Sequence, residues 1–166
     1  TLVYTLSLHD ALPISRPARL LTDLSAPFFS CPSNPLMPFA TIDIGTNTAQ
    51  LLVVERDGDA LQRLHAAERF VRLGEGVDAS GRIGDDAQNR LLAALQEHKQ
   101  AAHDHEAERI VVAGTSALRD ATNRRAVLNR VRWKLDLSIE ILSGDDEAAW
   151  SFAAACSAFG DLTGSC

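Results

Sequence analysis

The sequence predicts an α/β fold: a mixed five-stranded sheet with three main helices, in the order βββαβαβα. Three observations predict it. β-Branched apolar runs with period two and turn residues fill residues 39–69, an amphipathic helical pattern covers residues 85–107, and short apolar strands then separate further helical stretches. A strand meander followed by strands that alternate with helices indicates one sheet with helical crossovers.

Composition and charge restrict the class of protein. The chain has 166 residues, of which 46% are hydrophobic and 23% charged, as in one soluble globular domain or slightly more. Its apolar runs are shorter than the roughly 20 residues of a membrane helix. A net charge of −6 argues against an extended nucleic-acid surface. Three cysteines without a metal-type spacing fit a reducing, cytoplasmic setting. We therefore expect neither a membrane nor a nucleic acid as partner.

The first 36 residues differ in composition from the rest. All six prolines lie at or before Pro38, all ten glycines lie at or after Gly45, and Met37 is the only methionine. Residues 5–14, TLSLHDALPI, match the translation of a common short-read sequencing adapter. Residues 15–36 are proline-rich with scattered Ser and Asn, which is typical of disorder. We expect residues 1–36 to be a non-native or disordered leader and the folded region to begin at residue 37.

Residues 39–54 predict two strands joined by a polar turn, which we call the first loop (residues 45–48). Ile42 and Ile44 alternate on one side of the first strand. Backbone N–H groups of a small polar loop can face an anion, to which Thr46 and its neighbours add donors. An ordinary hairpin with a polar turn is the alternative.

The next stretch predicts a third antiparallel strand and then a glycine-rich segment. Asp57 and Gly58 favour a hairpin, and residues 61–69 form the strand. Residues 70–84 contain four glycines and carry Arg72; we call this segment the glycine loop. A lone arginine in such a loop is usually solvated, and it becomes a candidate only if the loop faces the site.

Residues 85–107 predict the clearest helix, with Asp85 and Asp86 in its first turn, where carboxylates complement the helix dipole. The histidines at or near its end are His98, His103 and His105. They could indicate a metal site, but without a third ligand nearby in sequence we expect a solvated helix end.

Two further strands and two helical regions complete the chain. A strand at residues 110–113 is followed by a helical region through residue 135, with Asn123 as an internal cap. A last strand at residues 138–142 precedes a helix that Ser143 and Asp146 open as a capping box.

Loops that leave the carboxyl ends of strands in such a sheet share one edge, where ligands bind. Three loops of this sequence are of that kind: the first loop, a second loop (residues 114–119) and a third loop (residues 143–147). Arg119 supplies a cation for phosphate oxygens, and Glu147 a carboxylate that can align and deprotonate water. Taken alone, Arg119 could be one more exposed cation and Glu147 a helix-start acid. Convergence of three loops favours a site.

Four segments resemble successive blocks of the exopolyphosphatase and guanosine pentaphosphate phosphatase (Ppx/GppA) family, in the actin, Hsp70 and sugar-kinase superfamily. They are DIGTNTAQLL (43–52), RFVRLGEGVDASGRI (69–83), AGTSALRDATNR (113–124) and ILSGDDEAAWSF (141–152). The first alone is shared with kinases and actin-like ATPases, whereas four in order are specific. The resemblance implies a ribonuclease-H-like (actin-like ATPase) lobe.

The resemblance also implies roles. It implies that Asp43 lies near Mg²⁺, that Arg119 binds the polyphosphate or pentaphosphate chain, and that Glu147 activates the attacking water. The residues of the phosphate-binding loop would be Gly45, Thr46, Asn47 and Thr48. The implied activity is hydrolysis of terminal phosphoanhydride bonds of inorganic polyphosphate or guanosine pentaphosphate by a homodimeric parent enzyme.

There are departures from the family pattern. Gln50 stands where arginine is often found, and Asp145 and Asp146 replace the more usual glutamates. A second, D-x-G-G-G-S type phosphate loop is missing from the sequence. We therefore expect residues 37–166 to be an N-terminal lobe, truncated at its C-terminal end, inactive by itself and partnered by the missing C-terminal lobe. The alternatives are a lobe of an actin-like ATPase or sugar kinase, and a non-catalytic phosphate-binding module.

Overall fold

The computed structural model describes residues 37–57 and 60–159, so the predicted leader and Gly58 lie outside the described residues. The elements are β1 (Phe39–Ile44), β2 (Thr48–Asp57), β3 (Ala60–Phe70), α1 (Val77–Ser80), α2 (Asp85–Asp104), β4 (Arg109–Gly114), α3 (Ser116–Asp120), α4 (Arg124–Leu135), β5 (Ile139–Ile141) and α5 (Gly144–Phe159). The predicted order and the three long helices are confirmed. The short helix α1 was not predicted, and α3 is a separate first part of the predicted second helical region. None of the described helices is long and apolar enough to cross a bilayer.

The five strands form one mixed sheet in the order β3-β2-β1-β4-β5. β1 pairs antiparallel with β2, and β2 with β3, whereas β1–β4 and β4–β5 are parallel. This is the ribonuclease-H-like topology that the sequence predicts. Since β1, β4 and β5 run in the same direction, their carboxyl ends meet at one edge of the sheet.

The core lies between one face of the sheet and the helices α2 and α4. Alternate residues of β1 and β2 are at most 2% exposed, while their neighbours in sequence face the other side: Ala40, Ile42, Ile44, Ala49, Leu51 and Val53. α2 contacts these strands and α4, and its Leu91 and Leu95 are fully buried. Val127 and Val131 of α4 join the same cluster. Apolar burial on one sheet face therefore holds the helices in place.

The second helical region is divided. Residues 121–123 separate α3 from α4, and Asn123 is the N-cap of α4, as predicted. Its side chain makes no capping hydrogen bond, however. Instead, its Oδ1 accepts from the Ile83 N–H at 3.0 Å and its Nδ2 donates to the Ile83 carbonyl at 2.9 Å. Asn123 therefore fastens the glycine loop to the start of α4.

The prediction of a solvated helix end is wrong for His98. Its side chain is 1% exposed and its Nε2–H donates to the Ala49 carbonyl at 3.0 Å. Burial lowers the pKa of the imidazole below its ordinary value of 6.5, because charging it inside the core is unfavourable. His103 is exposed, and His105 stacks on His65 with 4.8 Å between ring centroids.

The state of His98 predicts a pH dependence of stability. Below about pH 6.5 His98 is protonated in the unfolded chain, whereas its lowered pKa keeps it neutral to a lower pH in the folded chain. The unfolded chain therefore binds more protons, and the free energy of unfolding falls on acidification. The slope from one proton is at most about 1.4 kcal/mol per pH unit. Urea denaturation between pH 5 and 8 measures it. In His98→Gln, which keeps an N–H donor for Ala49, this component is absent; equal slopes for both proteins would contradict the assignment.

Candidate active site

The first and second loops meet at the carboxyl edge of the sheet. The Thr115 N–H donates to the Ile44 carbonyl at 3.1 Å, which extends the β1–β4 pairing into the loops. The hydroxyls of Thr46 and Ser116 are hydrogen-bonded at 2.8 Å. The structure therefore brings the polar turn after β1 against the start of α3.

Arg119 and Glu147 join the second loop to the third. The Arg119 Nη1 donates to Glu147 Oε2 at 3.2 Å and to the Leu142 carbonyl at 3.2 Å. The two side chains are 29% and 41% exposed, so the pair is accessible without being fully solvated. Arg119 Nε also lies 3.6 Å from the exposed Asp120. Arg119 is thus a positioned cation rather than one more free surface arginine.

The start of α5 positions Glu147. The Asp146 N–H donates to Ser143 Oγ at 3.1 Å, and the Ser143 hydroxyl donates to Asp146 Oδ2 at 2.6 Å. This is the predicted capping box, which satisfies a free N–H of the first helical turn. The Glu147 N–H donates to the Ser143 carbonyl at 3.0 Å. Ser143 and Asp146 form this cap without the Glu147 carboxylate, which contacts Arg119 instead.

Asp43 lies on the face of β1 opposite the core, one residue before the strand's end. Burial raises the pKa of its carboxyl above the usual range, and the negative charge of Glu147 raises it further. The two carboxylates therefore repel each other across the site. Such a pair attracts a cation or a proton.

The glycine loop packs directly against the first loop. The carbonyl of Asn47 accepts from the N–H groups of Val71 and Arg72 at 2.8 and 2.9 Å, and the carbonyl of Thr46 accepts from Gly74 at 3.1 Å. A Cβ at Gly74 would clash with the Thr46 methyl group, so a larger residue there requires the Thr46 side chain or the glycine loop to move. Sequence reasoning placed no glycine-loop residue in the site; the signal available was Arg72 among closely spaced glycines.

All predicted site residues lie at this edge. Gly45 closes the first loop by donating its N–H to the Thr48 carbonyl at 2.9 Å, and Thr46 and Asn47 are exposed. The topology is that of a lobe of the actin-like ATPase fold, and at its carboxyl edge small donors, an arginine and two carboxylates converge at the ends of parallel strands. Such a set of groups can bind an anion and a cation side by side.

Comparison with known proteins narrows this class. Residues 52–165 match the model of the Ppx/GppA phosphatase family, and the chain belongs to that family. Exopolyphosphatase 2 of Mycobacterium tuberculosis is 36% identical over 131 residues, which cover 73% of this chain and 41% of that protein. The guanosine-5'-triphosphate,3'-diphosphate pyrophosphatase of Aeromonas hydrophila is 37% identical over 110 residues, which cover 66% of this chain and 22% of that protein.

A solved structure agrees with the sequence comparison. The Ppx/GppA family member of Aquifex aeolicus superposes with a TM-score of 0.71 at 26% identity, covering 75% of this chain and 41% of that one. This chain thus spans less than half the length of the relatives it matches.

The close approach of the two loops predicts the effect of a methyl group at Gly74. Gly74→Ala requires the Thr46 side chain to turn away from Ser116 or the glycine loop to move, and should lower the free energy of unfolding by about 1 kcal/mol. Urea denaturation measures this loss. Gly144→Ala is the matched control, because nothing lies within 4 Å of its Cβ, its φ is outside the left-handed region and alanine is favoured within a helix. A Gly74→Ala protein as stable as the control would show that the loops do not meet as described.

Proposed function

We propose that this chain supplies the first phosphate loop and the general base of an enzyme that hydrolyses terminal phosphoanhydride bonds of inorganic polyphosphate or guanosine pentaphosphate. The observation that carries the proposal is the Arg119–Glu147 pair beside the first loop. The names of the relatives, an exopolyphosphatase and a guanosine-5'-triphosphate,3'-diphosphate pyrophosphatase, support both substrate classes.

Arg119 fits the task of binding the terminal phosphate. A guanidinium has five N–H donors, and in this protein Nη1 is the group bonded to Leu142 and Glu147. The donors that remain can hold phosphate oxygens, whose negative charge develops further as the bond to the chain breaks. The Thr46 hydroxyl and the backbone of the first loop add neutral donors.

Glu147 fits the task of activating water. Its Oε2 accepts from Arg119, which leaves Oε1 to accept a hydrogen bond from a water. That water attacks the terminal phosphorus, Glu147 takes its proton, and the bridging oxygen leaves with the shortened chain. The ion pair with Arg119 holds the carboxylate in a fixed orientation while this happens.

Mg²⁺ is part of the proposal, and the donor set fits it. Mg²⁺ prefers oxygen ligands and is commonly held by one or two carboxylates plus substrate phosphates and water. Asp43, whose pKa is raised by burial and by Glu147, is a carboxylate that a divalent cation would stabilise. Within residues 37–57 and 60–159, no group of three or more His, Cys, Asp or Glu side chains could hold a metal. Asp43 would therefore share the ion with phosphate oxygens, whose charge the ion would neutralise when bound.

The rest of the enzyme is also a proposal. Relatives extend well beyond the matched region, and we infer that their additional length supplies the opposing half of the phosphate site. The assembled protein would be cytoplasmic, as its cysteine usage indicates, and a homodimer, as the resemblance implies.

The general-base role predicts a specific kinetic defect. We would join residues 37–166 to the region of Mycobacterium tuberculosis exopolyphosphatase 2 that lies beyond the match, and follow phosphate release from polyphosphate. Glu147→Gln should lower kcat by about 10²–10⁴-fold while KM changes little, because the amide accepts no proton.

The control is Asp145→Asn, since Asp145 is an exposed acid in the same helical turn. It should keep kcat within about twofold, as exposed residues outside a site usually do. Equal losses in kcat and in affinity for Glu147→Gln, or a folded chimera that prefers ATP to polyphosphate, would count against the proposed function.

A further inference from the structure

An open cavity of about 590 Å³ adjoins the first loop. It is lined by Thr46, Asn47, Phe70, Arg72, Gly74 and Glu75. Thr46 and Asn47 belong to both the first loop and this cavity. Asp43, Arg119 and Glu147 do not line it. A ligand that extends from the first loop away from Arg119 would therefore enter this cavity.

The backbone of Arg72 is held in an unusual conformation. Its φ is 47°, in the left-handed region that residues other than glycine rarely adopt. Hydrogen bonds hold it there on both sides: its N–H donates to Asn47, and Arg90 donates from Nε to the Val71 carbonyl at 3.0 Å and from Nη2 to the Arg72 carbonyl at 3.4 Å. Backbone strain that persists because its surroundings enforce it is typical of ligand-binding positions.

Arg72 also determines the charge of the cavity. The acid in the lining, Glu75, is paired with Arg90 at 2.9 Å. Neighbouring arginines are likewise paired, Arg69 with Glu97 at 2.6 Å and Arg119 with Glu147 at 3.2 Å. Among the residues that the structure describes, no acid lies within ion-pair distance of the exposed Arg72 guanidinium. The cavity therefore presents an unneutralised cation beside the first loop.

We propose that Arg72 is a substrate-binding residue that holds the second phosphate of a chain whose terminal phosphate lies in the first loop. This rests on the proposed function and extends it from one phosphate to a chain of linked phosphates. The planar guanidinium binds phosphate oxygens with two parallel hydrogen bonds. Inorganic polyphosphate and guanosine pentaphosphate share this chemistry. Phe70, which is 68% exposed on the cavity wall, offers in addition a ring on which a guanine can stack.

Calorimetric titration of the full 166-residue chain with orthophosphate and with inorganic tripolyphosphate tests the proposal. Arg72→Asn removes the charge and keeps a residue that tolerates positive φ. It should weaken tripolyphosphate binding by about tenfold and leave orthophosphate binding within about twofold, because orthophosphate fills the first loop alone. Arg82→Asn, at an exposed glycine-loop arginine outside the cavity, should change neither affinity.

The possible outcomes separate this proposal from the proposed function. If Arg72→Asn leaves tripolyphosphate affinity unchanged, or lowers the affinities for both ligands equally, the proposed role of Arg72 is wrong. The proposed phosphate site at the first loop is not affected by that result. A wild-type chain that binds neither ligand overturns the phosphate site itself. Arg72→Gln repeats the measurement if thermal melting shows that Arg72→Asn is not folded.

The same titration distinguishes the two sources of the phosphate chain. Phe70→Ala should weaken guanosine pentaphosphate binding and leave tripolyphosphate binding unchanged if the substrate is the nucleotide. If Phe70→Ala changes neither affinity, the substrate that Arg72 binds is inorganic polyphosphate. Loss of tripolyphosphate binding in Phe70→Ala, with Arg72 intact, would contradict a cavity in which Arg72 provides the binding energy.

Discussion

The parallel pairing of β1, β4 and β5 is the constraint on which the site depends. Ile44 pairs with Gly114, and Gly114 pairs with Ile141, so the last residues of the three strands are in register. The loops that follow therefore begin at the same level. Since a strand rises about 3.3 Å per residue, a slip of one residue would be enough to break the contacts between the loops. Gly114 at the centre permits this closeness, because a Cβ there would lie 2.7 Å from Leu118 and 3.1 Å from Ile139.

The charges at this edge matter for positioning more than for stability. Arg119 and Glu147 are partly exposed, and ion pairs of that kind stabilise a fold by only about 0–1 kcal/mol. What the pair provides is a fixed cation and a fixed carboxylate on adjacent loops. Asp43 is partly desolvated and experiences the negative charge of Glu147, so a cation beside the two carboxylates would relieve their repulsion, as the proposed Mg²⁺ would.

Local pattern predicted the strands, the long helices and the three loops, because period-two and helical spacing are properties of short segments. It missed α1, since a helix of one turn has too few residues to show periodicity. His98 continues the spacing of Leu91 and Leu95 on the core side of α2, so the pattern held a signal that its polar side chain concealed. The contacts of Asn123 with Ile83 and of Gly74 with Thr46 join distant segments. Tertiary packing determines such contacts, and neither spacing nor composition reveals them.

Three loops, separated in sequence, form one proposed phosphate site. A titration of the ¹⁵N-labelled 166-residue chain with orthophosphate, followed through its amide NMR signals, tests this most directly. We expect the amides of residues 45–48, 114–119 and 143–147 to shift together with a single affinity. Shifts limited to the arginines of α4, or different affinities for the three loops, would contradict it.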